Sequence, residues 1–193
     1  MLQRRIRPFI LRRTKSEVAQ ELPAKTVILQ PIELVGQQRD LYEAVRLAMH
    51  KRVNEEIRDK GIKGIRIVVI DALLKLRQTC CDPRIVKLKM ADGITDSAKI
   101  ETLMDMLPQL VEEGRRIIIF SQFRKMLELI ELELQREKLD YVMLTGLTKE
   151  RQPIIDRFQR GEVPIFLISL KAGGTGLNLT AADTVIHYDP WWN

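Results

Sequence analysis

The sequence predicts an α/β protein in which a parallel β-sheet flanked by helices follows a mainly helical region. Two observations lead to this fold class. In the second half of the chain, short apolar runs alternate with amphipathic segments of roughly 10 to 15 residues, which is the pattern of consecutive βαβ units. In the first half, apolar residues recur with a helical period instead. The border between the two regions lies in the polar stretch 91–96.

The second half is predicted to contain four strands and three helices. The strands lie at 117–120, 141–144, 163–169 and 184–188, and the helices at about 97–114, 124–138 and 149–160. The first strand, Ile117 to Phe120, is a β-branched and aromatic run of the kind that a parallel sheet buries on both faces. Ser97 is a candidate N-cap for the first helix, Gly114 marks its end, and Pro108 should kink it.

The first half is predicted to contain two helices after an extended segment at 25–29. Apolar residues keep a helical spacing through residues 37–58. Residues 65–81 are ambiguous, because the β-branched start IRIVVI favours a strand, whereas the length of the segment and its leucines favour a helix. We choose the helix for this segment.

The positive charge of the chain is concentrated in its first half. The formal net charge is +6, but residues 1–95 alone carry 20 Lys and Arg against 11 Asp and Glu. Six of these basic residues precede the first acidic residue, Glu17. This distribution suggests a polyanion partner such as nucleic acid, although a solvated face or a surface that docks on another domain gives the same count.

Composition also excludes some classes of protein. No apolar run approaches the roughly 20 residues needed to span a bilayer, and the N-terminus lacks the features of a cleavable signal peptide, so we expect an intracellular protein without a membrane partner. The only cysteines, Cys80 and Cys81, are adjacent and have no histidine near them. We expect both thiols to be reduced and structural, and we expect no metal site.

A glycine-rich segment, SLKAGGTGLNL, begins where the third predicted strand ends. Glycines can adopt positive φ and turn successive N–H groups towards an anion, and in an open α/β sheet ligands bind at the carboxyl ends of the strands. Lys171 could add a charge, and Ser169, Thr175 and Asn178 could add donors. A tight turn explains the same glycines without a ligand.

The sequence lacks the parts of a complete nucleotide site. It contains no G-x-x-x-x-G-K-[ST] and no acidic magnesium-binding motif at the end of a strand. It also lacks a G-x-G-x-x-G after the first strand, which argues against a dinucleotide-binding sheet. If the chain binds a nucleotide, another domain must hold most of it.

Several blocks of sequence carry a family resemblance. They are IIIFSQF at 117–123, YVMLTGLTKERQPIIDRFQ at 141–159 and FLISLKAGGTGLNLTAADTVIHYDPWWN at 166–193. In this order they resemble the second RecA-like lobe of Swi/Snf-family ATPases of helicase superfamily two. The segment RPFILRRTKSEVAQELPAK at 7–25 is similar to the segment that joins the two lobes in that family.

The resemblance implies a domain organisation and a function. Residues 1–36 would be the inter-lobe segment, 37–95 a helical protrusion, and 96–193 a C-terminally truncated RecA-like lobe. The family couples ATP hydrolysis to translocation along double-stranded DNA, with ATP and Mg held mainly by the first lobe. The chain would supply DNA contacts and one side of the ATP cleft, in the cytoplasm or nucleoid of a prokaryote or the nucleus of a eukaryote. It would be inactive alone, because the Walker motifs and the arginines that reach the γ-phosphate lie elsewhere.

The resemblance also implies roles for individual residues. DNA-backbone contacts are implied for Ser121, Gln122, Thr145, Gly146, Arg151, Ser169, Lys171 and Gly173. Residues implied to face the nucleotide cleft are Gly174, Gly176 and Leu177, and those implied to couple the lobes to DNA are Asp189, Trp191 and Trp192. No catalytic residue is implied within the chain.

Other interpretations stay open for the chain and for single residues. A non-enzymatic basic α/β module that binds nucleic acid or a protein is the alternative function. The tryptophan pair 191–192 could instead anchor a core or an interface, Arg151 could be a solvated helix charge, and His187 could simply pack on its strand.

Overall fold

The computed structural model describes residues 9–11, 25–60, 65–174 and 176–190. The chain consists of two compact units, residues 1–31 and 32–193. In the first unit, residues 25–31 are exposed and form neither helix nor strand. The sheet and its helices belong to the second unit.

The described part of the second unit contains six α-helices and four β-strands. In chain order they are α1 (Gly36–Lys60), α2 (Arg66–Cys81), α3 (Ala98–Glu112), β1 (Ile117–Ser121), α4 (Arg124–Arg136), β2 (Tyr141–Leu144), α5 (Gln152–Gln159), β3 (Ile165–Ser169), α6 (Leu170–Gly173) and β4 (Thr184–His187). Two short 3₁₀ turns, Pro83–Ile85 and Lys89–Ala91, connect α2 to α3.

The four strands form one parallel sheet in the order β2-β3-β1-β4. Alternate side chains of the central strands point to opposite faces, as the period of two requires. Ile117 and Ile165 pack with α3 and α4 on one face, whereas Ile118 and Phe166 pack with α5 and the segment after α6 on the other. β3 is buried along its whole length. These observations confirm the predicted parallel sheet flanked by helices.

The helices α1 and α2 pack against each other and form a helical hairpin that precedes the sheet. The hairpin has its own small core around Leu41, Val45 and Ala72. Gln38 joins this core to the lobe, because its amide nitrogen donates to the Thr79 carbonyl (2.9 Å) and its amide oxygen accepts the N–H of Ala98, at the start of α3 (3.0 Å). The structure also confirms the helix chosen for residues 65–81, since α2 spans Arg66–Cys81.

Three details differ from the sequence prediction. Ser97 occupies the predicted N-cap position of α3, but its hydroxyl donates to the Cys81 carbonyl (3.1 Å) instead of accepting an N–H of the helix. α5 begins at Gln152 rather than near residue 149, since Pro153 occupies the first turn, where a proline is compatible with a helix. The glycine-rich segment begins with the helical turn α6 instead of an open loop.

Both cysteines are free thiols, as expected. Burial raises the pKa of Cys81 to about 12, so this thiol stays protonated and behaves as a small apolar group. Within the described ranges, no helix is long and apolar enough to cross a membrane.

Candidate nucleic-acid and nucleotide interface

The candidate site lies at the carboxyl edge of the sheet, where the four strands end side by side. β1 and β3 are paired up to their last residues, Ser121 and Ser169. The pairing of β2 with β3 and of β4 with β1 brings Thr145 and Tyr188 into the same row. Neighbouring strands lie about 4.8 Å apart, so the row extends roughly 14 Å across the sheet. The fold thus gathers residues that are far apart in the sequence along one edge.

Ser121 and Asp189 lie in the interior of this edge and hold its loops together. The Asp189 carboxylate accepts the Ser121 hydroxyl (3.2 Å) and the Gln122 N–H (3.1 and 3.2 Å to its two oxygens), while the Ser121 hydroxyl accepts the N–H of Phe123 (3.1 Å). Both side chains are buried, and burial raises the pKa of Asp189. Their polar atoms therefore fix the end of β1 against the end of β4.

Gln122 is half-buried at the same edge, and Arg77 of α2 fixes the orientation of its side chain. A guanidinium group only donates hydrogen bonds, so the amide oxygen of Gln122 must face it, and in this orientation the oxygen accepts from both terminal nitrogens (2.7 and 3.0 Å). Arg77 also donates to the carbonyls of Asp189 (3.3 Å) and Pro190 (3.4 Å). The amide nitrogen of Gln122 is left as a donor that Arg77 cannot use.

The turn after β2 places Thr145, Gly146 and Arg151 next to this row. The Thr145 hydroxyl accepts the Leu147 N–H (3.3 Å), and the Thr148 hydroxyl accepts the Thr145 N–H (3.0 Å), so the turn stabilises itself. A Cβ on Gly146 would have no atom within 4 Å, and Arg151 is half-buried directly before α5. The turn therefore presents open backbone at Gly146.

The last residue of β3, at the start of the glycine-rich segment, carries a buried polar group that lacks a partner among the described residues. The Ser169 hydroxyl is buried and has no hydrogen-bond partner among the described residues. Lys171, on α6, is exposed. A buried hydroxyl without a partner costs free energy, and a ligand that hydrogen-bonds it would recover that cost.

The glycines of this segment have different surroundings. A Cβ on Gly173 would lie 2.7 Å from Phe120 Cε1, whereas Gly174 and Gly176 are exposed and have room for one. Among the described glycines of the segment only Gly176 has positive φ, so residues 170–174 do not form the positive-φ nest expected of a glycine loop. The Leu177 side chain packs against the core on this face of the sheet.

Gln159 was not identified from the sequence, yet it anchors the chain that follows the glycines. Its amide nitrogen donates to the Asn178 carbonyl (3.1 Å) and the Thr180 hydroxyl (3.3 Å), and its amide oxygen accepts the Ala181 N–H (2.9 Å). A glutamine at the end of an amphipathic helix is normally solvated, so no sequence pattern signals this role. The role of Arg77 in orienting Gln122 was likewise not identified from the sequence.

Some predicted positions cannot be placed. Thr175, Trp191 and Trp192 lie outside the described residues. His187 is exposed on β4, and its ring stacks on Phe120 with the ring centres 5.4 Å apart. In the part of the chain that the structure describes, no group of three or more His, Cys, Asp or Glu residues is arranged to hold a metal ion.

Two family models match the chain. The model described as "Helicase conserved C-terminal domain" matches residues 98–193, which contain the sheet and its flanking helices. The model described as "SNF2-related domain" matches residues 1–85, which contain the helical hairpin. The two matches follow one another along the chain, in the order that the family resemblance requires.

Individual relatives agree with these models. An uncharacterized ATP-dependent helicase of Mycoplasma pneumoniae is 36% identical over all of this chain, which spans only 18% of that protein. The SWI2/SNF2 ATPase C-terminal domain of Sulfolobus solfataricus superposes with a TM-score of 0.71 at 31% identity, covering 84% of this chain and 71% of that one. The ATPase core from the same organism, solved in complex with double-stranded DNA, superposes with a TM-score of 0.75 at 32% identity, covering 100% of this chain and 41% of that one.

Proposed function

This chain belongs to the Swi2/Snf2 family of ATP-dependent helicases, and we propose that it forms the second motor lobe of a translocase that moves along double-stranded DNA. The lobe supplies contacts to the DNA backbone and one side of the ATP cleft. The first lobe of the same polypeptide supplies the rest of the cleft. The relatives whose sequences match are several times longer than this chain, which leaves room for that lobe.

The observation that carries the proposal is the open, unsatisfied polar edge after β3. Ser169 has a buried hydroxyl without a partner among the described residues, and Gly174 and Gly176 leave space that a side chain would fill. Lys171 adds an exposed positive charge beside them. Backbone amides, a lysine and a hydroxyl are the groups that proteins use to hold phosphate oxygens.

We propose that some residues of this edge face DNA and others face the nucleotide. Gln122, Gly146, Arg151 and Lys171 face the DNA backbone, where contacts to phosphates carry no base information and give sequence-independent, salt-sensitive binding. Ser121 acts indirectly in this scheme, because its buried hydroxyl holds the Gln122 loop.

The other direction is the nucleotide cleft, to which Gly174, Gly176 and Leu177 contribute their backbone. These residues would contact only one side of a bound ATP, and among the described residues no group of three or more His, Cys, Asp or Glu is arranged to hold a metal ion. When bound, ATP and Mg supply the phosphoryl group and the charge neutralisation for its transfer. In this chain, Gln159 holds the loop that follows the glycines in place. Because residue 174 is a glycine, no side chain fills the space beside it.

The test uses the intact protein that contains this chain. We expect ATP hydrolysis to rise when duplex DNA of any sequence is added, and the stimulation to fall as salt increases. A folded protein that shows no stimulation excludes the motor function. Binding of DNA without any hydrolysis would point to the non-enzymatic module instead. The isolated chain is expected to hydrolyse no ATP, because the groups that stabilise the transferred phosphoryl group in this family are expected outside it. That stabilisation can contribute about 10³-fold or more in rate.

A lysine substitution tests the assigned DNA face. Lys171→Ala removes one exposed charge beside the open edge, so the DNA concentration for half-maximal stimulation should rise several-fold and about equally for unrelated sequences. Lys138→Ala is the matched control, because Lys138 is also exposed but precedes β2 at the opposite edge of the sheet. Equal effects of the two substitutions would contradict the assignment.

A further inference from the structure

A groove lies next to the candidate site, between the helical hairpin and the start of α4. It has a volume of about 460 Å³ and is bordered by α2, by the chain around the first 3₁₀ turn, and by the residues that follow β1. Its polar lining includes Asp71, Lys75, Lys87, Gln122, Arg124 and Lys125. The groove therefore begins at Gln122, which the proposed DNA face also contains.

The charge of the groove is positive. Asp71 is the only acidic residue of its lining, and Lys75 (2.8 Å) and Arg52 (2.9 Å) both bind the Asp71 carboxylate, whose pKa they hold below its usual range. Lys87 and Lys125 are exposed, and neither forms an ion pair within the part of the chain that the structure describes. These two lysines can neutralise an external anion.

Arg124 adds a third positive charge that is only weakly held. Its guanidinium lies 3.4 Å from the Glu128 carboxylate, and both side chains are about half exposed (53% and 43%), so water screens the pair. The first turn of α4 carries no acidic residue, and Phe123 at its N-cap provides no side-chain acceptor. The positive end of the helix dipole therefore adds to the charge of the basic side chains instead of being offset.

Gln122 provides a directed donor at the edge of this groove. Since Arg77 holds the amide oxygen, the amide nitrogen retains its hydrogens for another acceptor. An amide donor, two lysines, an arginine and a helix N-terminus form a set that matches the oxygens of a phosphate backbone.

We propose that the groove between α2 and the start of α4 binds the sugar-phosphate backbone of duplex DNA. This inference rests on the proposed function and extends the DNA-binding edge of the sheet onto the helical hairpin. Duplex DNA is the occupant that the observations favour, because the groove is positively charged and continuous with the proposed DNA face through Gln122.

The test is a charge-removing pair of substitutions in the intact protein. Lys87→Gln with Lys125→Gln should weaken binding to duplexes of unrelated sequence by about the same factor, roughly tenfold at moderate salt. Each phosphate contact contributes about 0.9 to the slope of log K against log salt, so the slope should become shallower by roughly 1.8. The dissociation constant is measured by fluorescence anisotropy over a series of salt concentrations, and the unfolding midpoint confirms that the variant is folded.

A matched control removes the same charge elsewhere. Arg115→Gln with Lys138→Gln removes two exposed charges at the amino edge of the sheet, and this pair should leave the salt slope unchanged. An unchanged slope in the groove variant, or an equal change in the control, overturns the groove. Binding of polyglutamate that depends on Lys87 and Lys125 while DNA binding does not would also overturn it.

The outcome separates this inference from the function on which it rests. If Lys171→Ala weakens DNA binding and the groove pair does not, the groove is excluded and the motor lobe stands. If the intact protein binds no duplex DNA at all, the proposed function fails and the groove fails with it. A shallower slope in the groove pair, additive with that of Lys171→Ala, supports both.

Discussion

The three glycines after β3 show how one residue type serves different physical needs. Gly173 is required by packing, since a Cβ there would lie 2.7 Å from the Phe120 ring and 3.2 Å from Ile168. Gly176 is required by its backbone, whose φ of +64° strains most other residues. Gly174 has neither need, because its φ is −71° and the nearest atom to a Cβ there is the Leu170 carbonyl oxygen at 3.5 Å. The described residues thus impose no requirement for glycine at position 174, and the proposed function assigns the open space there to a bound nucleotide.

Alanine at each of two neighbouring positions tests this explanation. Gly174→Ala should leave the free energy of unfolding unchanged or raise it by about 0.5 kcal/mol, because alanine restricts the unfolded chain, yet it should lower ATP turnover in the intact protein. Gly173→Ala should lower the free energy of unfolding by about 1–3 kcal/mol through overpacking against Phe120. Denaturant titration and ATPase assays on both variants provide the comparison. Full ATPase activity in Gly174→Ala would remove the reason to place a nucleotide beside it.

At the scale of elements, one long side chain of the helical hairpin reaches the end of β1. Arg77 of α2 orients Gln122 after β1 and also reaches the carbonyls after β4. The hairpin is therefore more than an appendage of the sheet, since it fixes a group at the carboxyl edge. Because a guanidinium only donates hydrogen bonds, Arg77 holds the amide oxygen of Gln122 and leaves the amide nitrogen for another acceptor.

A double-mutant cycle tests this connection between elements. Arg77→Met should weaken duplex DNA binding by about 0.5–2 kcal/mol when Gln122 is present and much less when Gln122→Met has already removed the amide. Arg77→Lys is the informative control, because it keeps a positive charge but not the paired donors. Each variant's unfolding midpoint is measured separately, since loss of the contacts to Asp189 and Pro190 also lowers stability. Additive effects of the two methionine substitutions would show that Arg77 acts independently of Gln122.

At the scale of the whole molecule, local patterns predicted the elements well and the long-range contacts poorly. Apolar runs predicted β1 and β2 within one residue at either end. β1 is buried along nearly its whole length, as a strand inside a parallel sheet is, whereas β2 is an edge strand in which alternate residues are buried. The row at the carboxyl edge followed from the same pattern. The roles of Arg77 and Gln159 did not follow from it, since a polar residue on a helix looks the same in sequence whether it faces water or a loop that is 112 or 19 residues away, as in these two cases. The groove between α2 and the start of α4 also brings together residues that are far apart in the sequence, so local patterns did not predict it.

The Asp189 carboxylate connects the end of β4 to the end of β1. Its titration should therefore affect the stability of the whole sheet. Burial raises its pKa above the ordinary value of 3.8, although the Gln122 N–H, the Ser121 hydroxyl, Arg77 and Lys99 all favour the charged form. A raised native pKa means that the folded state holds the proton more tightly than the unfolded state. This group therefore costs stability as pH rises from about 4 through its native pKa, and the cost is constant above it.

Asp189→Asn removes that titration with little change in shape. Its amide oxygen can accept the Gln122 N–H, and its amide nitrogen can donate to the Ser121 hydroxyl, whose own proton can go to the Phe123 carbonyl (3.3 Å). We expect the variant to gain stability relative to the original protein as pH rises from 4, and the difference to level off above the native pKa. Denaturant titrations at a series of pH values measure this difference, with Asp140→Asn, at an exposed position after α4, as the control for loss of one charge. A difference that falls as pH rises would mean that the hydrogen bonds and the two cations outweigh burial, and that the charged carboxylate stabilises the junction of β1 and β4.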